Sequence, residues 1–274
     1  MTHGRWIEVG DRVYVGRYRF YDQDIGAILT DDGPVVIDTR STAVQAREIV
    51  ADLRTITALP AAAVIDTHHH YDHAFGNGLF RPAPVWGHLR CATFLREQAA
   101  AYQARVAAEE LPQLAAEVLA TEVDPPDHTF GDDGVDLEIG GRRIDLRWLG
   151  RGHTDDDVVI VVPDAAVVFA GDLVENGAPP YFGDGYPLDW PATLLALRSL
   201  IGGALVPGHG DVAGRTFLDR SIEEVTAIAD LARQVASGGL DLEAAVTRAP
   251  YRAESAREAI ERGVAQARGE LEAS

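Results

Sequence analysis

Lysine is absent from the 274 residues, so all 24 basic side chains are arginine. They face 43 aspartates and glutamates, and the formal net charge is −19. A chain this acidic is repelled by phosphate backbones and by anionic membrane surfaces. We therefore expect a small molecule as its partner, and neither nucleic acid nor a membrane. A local arginine pocket for an anionic substrate is still compatible with this charge.

Cysteine is almost absent as well, and long apolar runs are missing. The single cysteine, Cys91, excludes an internal disulfide and fits a reducing compartment. We expect it to be a small buried apolar residue. No apolar run approaches the length of a transmembrane helix, and the first residues lack the apolar core of a signal peptide. Together these absences predict a soluble, cytoplasmic protein, whose oligomeric state the sequence leaves open.

Histidine, by contrast, is concentrated in one segment. Residues 67–73 read Thr-His-His-His-Tyr-Asp-His and follow a short apolar run that predicts a buried strand. Successive side chains of an extended chain point to opposite sides, so His68 and His70 can face one ion while the histidine between them turns away. Asp72 and His73 could then face a second ion. Imidazole and carboxylate ligands with little sulfur suit a catalytic zinc site, whereas the alternative is a surface loop in which Asp72 caps a short helix.

Several strand patterns end at a residue that could take part in chemistry. The opening third predicts a β-meander, and later strands are predicted over residues 158–162 and 167–170. The residues found at the strand ends are Asp38, His68, His153, Asp172 and His209. Side chains just beyond the carboxyl ends of neighbouring strands gather at one edge of a sheet, so we expect these to meet. Glycine flanks the last three, which allows the backbone to approach a metal closely.

Helical patterns occupy much of the remaining chain. Residues 90–120 are rich in alanine and glutamate and are interrupted at Pro112, which predicts a helical insertion made of two helices or of one bent helix. Further helices are predicted from about residue 216 to residue 272. No linker clearly divides the chain, so we expect one domain over residues 1–274.

In these motifs the chain resembles the metallo-β-lactamase superfamily, over roughly residues 10–215. The ordered motifs are Asp38 at a strand end, the histidine cluster of residues 68–73, Gly152-His153-Thr154, Gly171-Asp172 and Gly208-His209. The resemblance implies an α/β fold, a layered αββα sandwich of two mixed β-sheets flanked by helices. It also implies two zinc ions per chain, the first held by His68, His70 and His153 and the second by Asp72, His73 and His209. Asp172 would bridge both ions, and Asp38 would support the ligands from behind.

Two residues place the chain within that superfamily. Asp172 stands where several β-lactamases carry cysteine or serine, so the chain looks more like glyoxalase II, the lactonases and ribonuclease Z. His70 stands where flavodiiron proteins have glutamate, which favours zinc over a di-iron centre. The resemblance therefore implies a zinc-dependent hydrolase, in which a metal-bridging hydroxide attacks a small ester, thioester, lactone or lactam. Asp72 and Asp172 would be its catalytic carboxylates.

Two alternative activities use the same fold. An iron-dependent sulfur (persulfide) dioxygenase would use the same first histidines, and metal analysis would distinguish it from a zinc hydrolase. A phosphodiesterase or nuclease similar to ribonuclease Z is disfavoured by the net charge and by the lack of a basic groove signature.

Loops must form the substrate pocket. Residues 174–190 follow the proposed bridging aspartate and carry four aromatic residues, namely Tyr181, Phe182, Tyr186 and Trp190. We expect these aromatics to form a wall over the metals, although aromatic residues also commonly fill cores. Residues 18–24 would form the opposite rim. Three consecutive aspartates, residues 155–157, stand where relatives often have proline and glycine, and we expect them to be exposed to solvent.

Overall fold

The computed structural model describes residues 2, 3 and 5–271, which contain thirteen strands and eight α-helices. The strands of the first half are β1 (Thr2–His3), β2 (Trp6–Gly10), β3 (Val13–Tyr18), β4 (Gln23–Thr30), β5 (Gly33–Ile37), β6 (Ala63–Ile65), β7 (Val85–His88) and β8 (His128–Phe130). The strands of the second half are β9 (Val135–Ile139), β10 (Arg142–Arg147), β11 (Val159–Val162), β12 (Val167–Asn176) and β13 (Ala204–Gly210). The helices are α1 (Ala43–Leu53), α2 (Tyr71–Ala74), α3 (Leu89–Glu109), α4 (Pro112–Ala120), α5 (Trp190–Arg198), α6 (Arg215–Ala236), α7 (Leu242–Arg248) and α8 (Ala253–Arg268).

The strands form two mixed sheets. In the first sheet, β1 to β5 make an antiparallel meander, and β5 to β8 are parallel. In the second sheet, β9 to β12 are antiparallel, and β13 runs parallel to β12. The residue pair Gln23–His209 joins β4 to β13 and thereby links the two sheets. Parallel neighbours need crossover connections, and α1 supplies one of them between β5 and β6.

Apolar side chains from both sheets meet in a central core. Val35 and Ile65 of the first sheet belong to the same buried cluster as Ile160 and Phe169 of the second, and none is more than 3% exposed. Burying each such side chain contributes roughly 1.5–3 kcal/mol relative to leaving it exposed. The first sheet packs outward against α1, and the second packs outward against α5, α6 and α8. This order of layers confirms the predicted αββα sandwich.

Local sequence explains where two of the helices begin. The Thr42 hydroxyl accepts a hydrogen bond from the Gln45 backbone N–H at 3.1 Å and caps α1. Ile49 and Leu53 then lie one turn apart on the buried side of this helix. Pro112 occupies the first turn of α4, where its missing N–H costs no hydrogen bond, and so separates α4 from α3. Residues 89–120 therefore form two helices rather than one bent helix.

The strands that carry the later motifs run further than the sequence predicts. We expected a strand to end at residue 170, whereas β12 continues to Asn176 alongside β13. The register shifts around Gly171, whose φ of +52° is a backbone conformation that favours glycine. Asp172 and His209 consequently lie within paired strands, which hold their backbones more firmly than a loop would.

Two predictions from composition concern the fold. Cys91 is fully buried in a cluster with Phe75 and Leu95, as expected for a small apolar residue. Within the part of the chain that the structure describes, no helix has the length and apolar character needed to cross a membrane.

Candidate metal centre

The first group of candidate ligands comes from three segments of the chain. Atoms of His68, His70, His153 and Asp172 lie within 4.8 Å of one another, and all four residues are buried. The Nε2 atom of His153 lies 2.8 Å from Nδ1 of His70 and 3.6 Å from Oδ2 of Asp172. The Nε2 atom of His68 lies 3.9 Å from the same carboxylate oxygen. Three ring nitrogens and one carboxylate therefore point at a common centre.

The second group lies beside the first. Ligand atoms of Asp72, His73 and His209 lie within 4.8 Å of one another, and the two Nε2 atoms are 3.3 Å apart. Asp172 reaches this group as well, since its Oδ1 lies 3.4 Å from Nε2 of His73 and its Oδ2 lies 3.2 Å from Nε2 of His209. The carboxylate of Asp172 thus stands between the two groups.

Each of the five rings has its outward nitrogen held by a hydrogen bond. The acceptors are Thr67 Oγ1 for His68 Nδ1 at 3.0 Å, Asp184 Oδ2 for His70 Nε2 at 3.0 Å, Asp38 Oδ2 for His73 Nδ1 at 2.8 Å, the Tyr181 carbonyl for His153 Nδ1 at 3.2 Å, and the Tyr21 carbonyl for His209 Nδ1 at 2.8 Å. A ring that donates its outward N–H keeps a lone pair on the other nitrogen, which is the form that binds a metal.

This arrangement fits divalent cations. The inward nitrogens of His70 and His153 face each other at 2.8 Å, and two lone pairs at that distance repel unless a proton or a cation lies between them. Nε2 of His68 and Oδ1 of Asp172 are buried and have no hydrogen-bond partner among the described residues. Buried polar atoms without partners are rare in proteins, and a shared cation would satisfy both. The donors are imidazole and carboxylate, which suit zinc and similar ions.

The electrostatics of the centre also suit metal binding. Burial lowers the pKa of His68 well below its usual value and that of His153 to about 4, so both rings are neutral near pH 7. Burial opposes the charged form of His73 and of His209, but carboxylates including Asp172 outweigh it and raise the pKa of both rings. Although burial would raise it, these two rings lower the pKa of Asp172, which is therefore ionised. A cation would replace the ring protons as the partner of this carboxylate.

Asp38 lies behind the second group. It follows β5 with a φ of +64°, in the left-handed region that aspartate tolerates better than most residues. Its carboxylate accepts hydrogen bonds from the Thr67 backbone N–H at 2.8 Å, from the Thr67 hydroxyl at 2.9 Å and from His73. One carboxylate therefore orients ligands of both groups, because Thr67 in turn holds His68.

The expectation for residues 155–157 was wrong at two positions. Asp156 and Asp157 are at most 2% exposed. The Asp156 carboxylate accepts a hydrogen bond from His69 Nδ1 at 2.8 Å, and Asp157 accepts one from the Thr154 backbone N–H at 2.9 Å. These carboxylates are buried because they satisfy polar groups of the histidine segments. His69 is thereby turned away from the candidate ligands.

The expectation for the aromatic loop was wrong for three of its four residues. Tyr181 is 51% exposed and lines the cavity over the ligands. Phe182, Tyr186 and Trp190 are buried and do not line it. Trp190 packs behind His153, with ring centroids 5.8 Å apart, and its indole N–H donates to the Leu173 carbonyl. The loop folds against the helical layer, so its apolar residues enter the core instead of the pocket.

The cavity above the two groups measures about 500 Å³. Aromatic and charged side chains from several segments line it, among them Tyr21, Asp22, Tyr71, Tyr102, Arg105, Glu109, Glu110, Glu175, Tyr181 and Asp184. The Tyr71 hydroxyl donates to Glu110 at 2.6 Å, and Tyr21 also bonds to Glu110. Residues 20–22, α2 and the end of α3 are thereby tied together into one wall of the cavity.

Three contributors to this site, from two segments of the chain, were missed by the sequence analysis. Asp184 is tethered through its backbone carbonyl to Arg262 of α8 and holds His70, yet no spacing marks it in the sequence. Tyr102 and Arg105 come from α3, whose helical pattern carries no motif, and the Arg105 guanidinium stacks over the Tyr102 ring at 4.9 Å. An amphipathic helix gives no sign of which neighbour it will cover.

Glu175 also lines the cavity. Burial, together with the charge of Asp172, raises the pKa of Glu175 to about 8.

The sequence pattern that defines the Metallo-beta-lactamase superfamily matches residues 19–209 of this chain. This stretch contains both groups of candidate ligands. The chain belongs to the metallo-beta-lactamase superfamily. Like other superfamily members it is a metallohydrolase, with histidine and aspartate groups suited to metal ions.

Three proteins with low sequence identity to this chain illustrate the similarity. Metallo-beta-lactamase IND-1 of Chryseobacterium indologenes is 24% identical over 203 residues, which cover 72% of this chain and 75% of that protein. A linear primary-alkylsulfatase of a Pseudomonas species is 25% identical over 230 residues, which cover 71% of this chain but 42% of the sulfatase. The structure of a metallo-beta-lactamase from Pontibacter korlensis superposes with a TM-score of 0.63 at 20% identity, covering 81% of this chain and 98% of that one. These likenesses establish the fold.

Proposed function

We propose that this chain is a binuclear zinc hydrolase that cleaves a small ester, thioester, lactone or lactam. The first ion would be held by His68, His70 and His153, and the second by Asp72, His73 and His209. The observation that carries this proposal is the position of Asp172, whose two carboxylate oxygens reach ring nitrogens of both groups. Iron would fit these imidazole and carboxylate donors too, but the second group offers a place for a second ion, which a dioxygenase with one iron would not need.

When bound, a pair of zinc ions would lower the pKa of water toward neutrality and polarise the bond to be cleaved. The protein's own contribution is to fix the geometry of that chemistry. Asp172 holds the two groups at a set separation, and the five outward hydrogen bonds prevent the rings from rotating. Tyr181 and Tyr102 stand beside His70, with ring centroids 6.2 and 6.4 Å from it, and would position the substrate.

The cavity supports a small substrate rather than a polymer. Its volume of about 500 Å³ is typical of pockets for small molecules. Carboxylates of Asp22, Glu109 and Glu110 line it, against the guanidinium of Arg105, while Glu175 has a pKa raised to about 8 and is mostly neutral near pH 7. This surplus of negative charge would repel a phosphodiester backbone, which argues against a nuclease.

The names of the relatives suggest two members of a substrate panel. A lactam is the substrate implied for IND-1, and a sulfate ester is the one implied for the alkylsulfatase. A panel of thioesters, lactones, β-lactams, carboxylic esters, phosphodiesters and sulfate esters should therefore be tested on the zinc-loaded protein. We expect turnover of at least one carbonyl compound; turnover confined to phosphodiesters would contradict the proposal.

Variants of the ligands connect turnover to the metal centre. His70→Ala and Asp172→Ala should abolish hydrolysis and reduce the zinc content, because each removes a ligand of the first ion. Asp133→Ala, which changes an exposed aspartate, is the control and should retain both. Full activity in either ligand variant would refute the assignment. One iron per chain and oxygen consumption with a persulfide would instead support the sulfur dioxygenase.

We also propose that residues 1–274 form one domain working in the cytoplasm. The linked sheets and their shared core support the first statement, and the single buried cysteine supports the second. Limited proteolysis should leave one resistant core; two separately stable fragments would contradict a single domain.

A further inference from the structure

A second cavity lies beside the metal pocket. We call it the lateral cavity; it measures about 230 Å³ and is formed by the end of β12, the loop that follows it, α6 and Tyr251. Glu175, Gly177 and Ala178 line both cavities, so this short segment is the partition between them. Gly177 has no side chain and Ala178 has only a methyl group.

The lining of the lateral cavity is mostly apolar. Leu173, Val174 and Pro180 lie on one side, and Phe217 and Val225 of α6 lie on the other. Four polar side chains also line it, those of Glu175, Ser221, Glu224 and Tyr251. The Ser221 hydroxyl donates to the Phe217 carbonyl at 3.2 Å, and Glu175 accepts a hydrogen bond from the Tyr181 backbone N–H at 2.9 Å. The buried Tyr251 hydroxyl has no hydrogen-bond partner among the described residues. Pockets for small molecules are typically lined in this way, by apolar and aromatic side chains with a few polar groups.

We propose that the lateral cavity binds the apolar tail of the substrate, so that the hydrolase acts on esters with an acyl or alkyl chain of medium length. This inference rests on the proposed hydrolase function and adds a substrate class to it. The reacting group would lie over Asp172, and the chain would pass the small residues Gly177 and Ala178.

The size of the cavity sets the length of the tail. One heavy atom of a molecule packed as densely as a liquid occupies about 30 Å³, so the lateral cavity has room for roughly seven or eight carbon atoms. Each methylene that is buried should raise affinity by about fourfold. The carbons that remain beside the metal centre do not fill this volume, so specificity should rise with chain length at least as far as octanoate.

Binding of an unreactive ligand tests the lateral cavity without any turnover. The ligand is 1-octanol, titrated calorimetrically into the wild-type protein, into Ser221→Phe and into Glu223→Phe. Ser221 lines the cavity, whereas Glu223 lies on the same helix, is exposed and does not line it. We expect octanol to bind with a negative heat-capacity change, at least tenfold more weakly in Ser221→Phe and within twofold of wild type in Glu223→Phe. No binding to the wild type, or equal binding to all three, would overturn the inference.

A second experiment compares the hydrolysis of nitrophenyl acetate with that of nitrophenyl octanoate. The ratio of kcat/KM for octanoate to that for acetate should fall at least tenfold in Ser221→Phe and stay within twofold in Glu223→Phe. A ratio near one in the wild type would refute the inference. If no ester is hydrolysed, the proposed hydrolase function is contradicted. The octanol titration then still tests, independently of turnover, whether the lateral cavity binds an apolar chain. Should Ser221→Phe melt well below the wild type, Ser221→Leu replaces it in both arms.

Discussion

Asp184 provides the sharpest test of how this centre is held together. It comes from the loop between β12 and α5, and its Oδ2 accepts a hydrogen bond from Nε2 of His70 at 3.0 Å. That bond fixes the tautomer of His70, whose Nδ1 faces the first metal group. Replacing Asp184 by alanine should therefore weaken metal binding although Asp184 is not itself a ligand in our assignment.

The expected loss can be estimated from the geometry. Removing the hydrogen-bonded partner of a metal-binding histidine typically costs about 10–100-fold in metal affinity, or about 1.4–2.8 kcal/mol. The Asp184 side chain is 26% exposed, whereas that of His70 is 8% exposed. Water can therefore enter and replace part of the lost hydrogen bond. We expect a loss near the lower end, about tenfold, for the first ion.

Zinc affinity is best measured by competition with a chelator, which separates two binding steps of different strength. In Asp184→Ala one step should weaken about tenfold while the other changes little. Asp184→Asn should lose less, because the amide oxygen can still accept the His70 N–H. Asp189→Asn is the matched control: it lies in the same loop, and its carboxylate pairs with Arg151 at 2.6 Å and touches no candidate ligand. Unchanged affinity in Asp184→Ala, or an equal loss in the control, would refute the reasoning.

Three further predictions follow from single side chains. Asp38→Asn should weaken zinc binding by about 10–100-fold in a chelator competition, because His73 loses its charged partner. Gly208→Ala should lower the zinc content, since a Cβ at this position would overlap Oδ1 of Asp172; full occupancy by elemental analysis would contradict this. Burial raises the pKa of Asp24 to about 8, and neither of its oxygens has a hydrogen-bond partner among the described residues. The folded pKa thus exceeds the unfolded value of about 3.9, so the contribution of Asp24 to stability should fall as pH rises from about 4 to 8. Asp24→Asn should remove this loss and be more stable than wild type by about 1–3 kcal/mol in urea unfolding at pH 8, with a smaller difference at pH 5.

Short-range sequence patterns predicted that the candidate ligands meet at one sheet edge, whereas the layers and the sharing of ligands between two ions were implied by the resemblance to the superfamily. The histidine cluster depends on alternation along an extended segment, which is a local property. His153, Asp172 and His209 were predicted to lie close to it because each ends or follows a strand of the same fold. The structure brings these side chains within a few ångströms of one another, with Asp172 at 3.2 Å from His209. The closeness of these candidate ligands could therefore be predicted from their residue types and from the order of the strands that they follow.

The surroundings of the centre could not be predicted in the same way. Asp184 and His70 are 114 residues apart, and Asp156 and His69 are 87 residues apart. The spacing of nearby residues predicts neither pair, because each hydrogen bond depends on how a loop folds back over the site. Likewise, the aromatic composition of residues 174–190 does not reveal which ring will meet the helical layer. Phe182 does so and is fully buried, whereas the adjacent Tyr181 is half exposed.

The central claim is that one carboxylate, Asp172, joins two metal sites. Anomalous diffraction at the zinc edge from zinc-saturated crystals tests it most directly. Our account predicts two peaks about 3.5–4 Å apart with Asp172 between them, one among His68, His70 and His153 and the other beside His73 and His209. A single peak, two peaks that do not share Asp172, or no peak after saturation with zinc would contradict it.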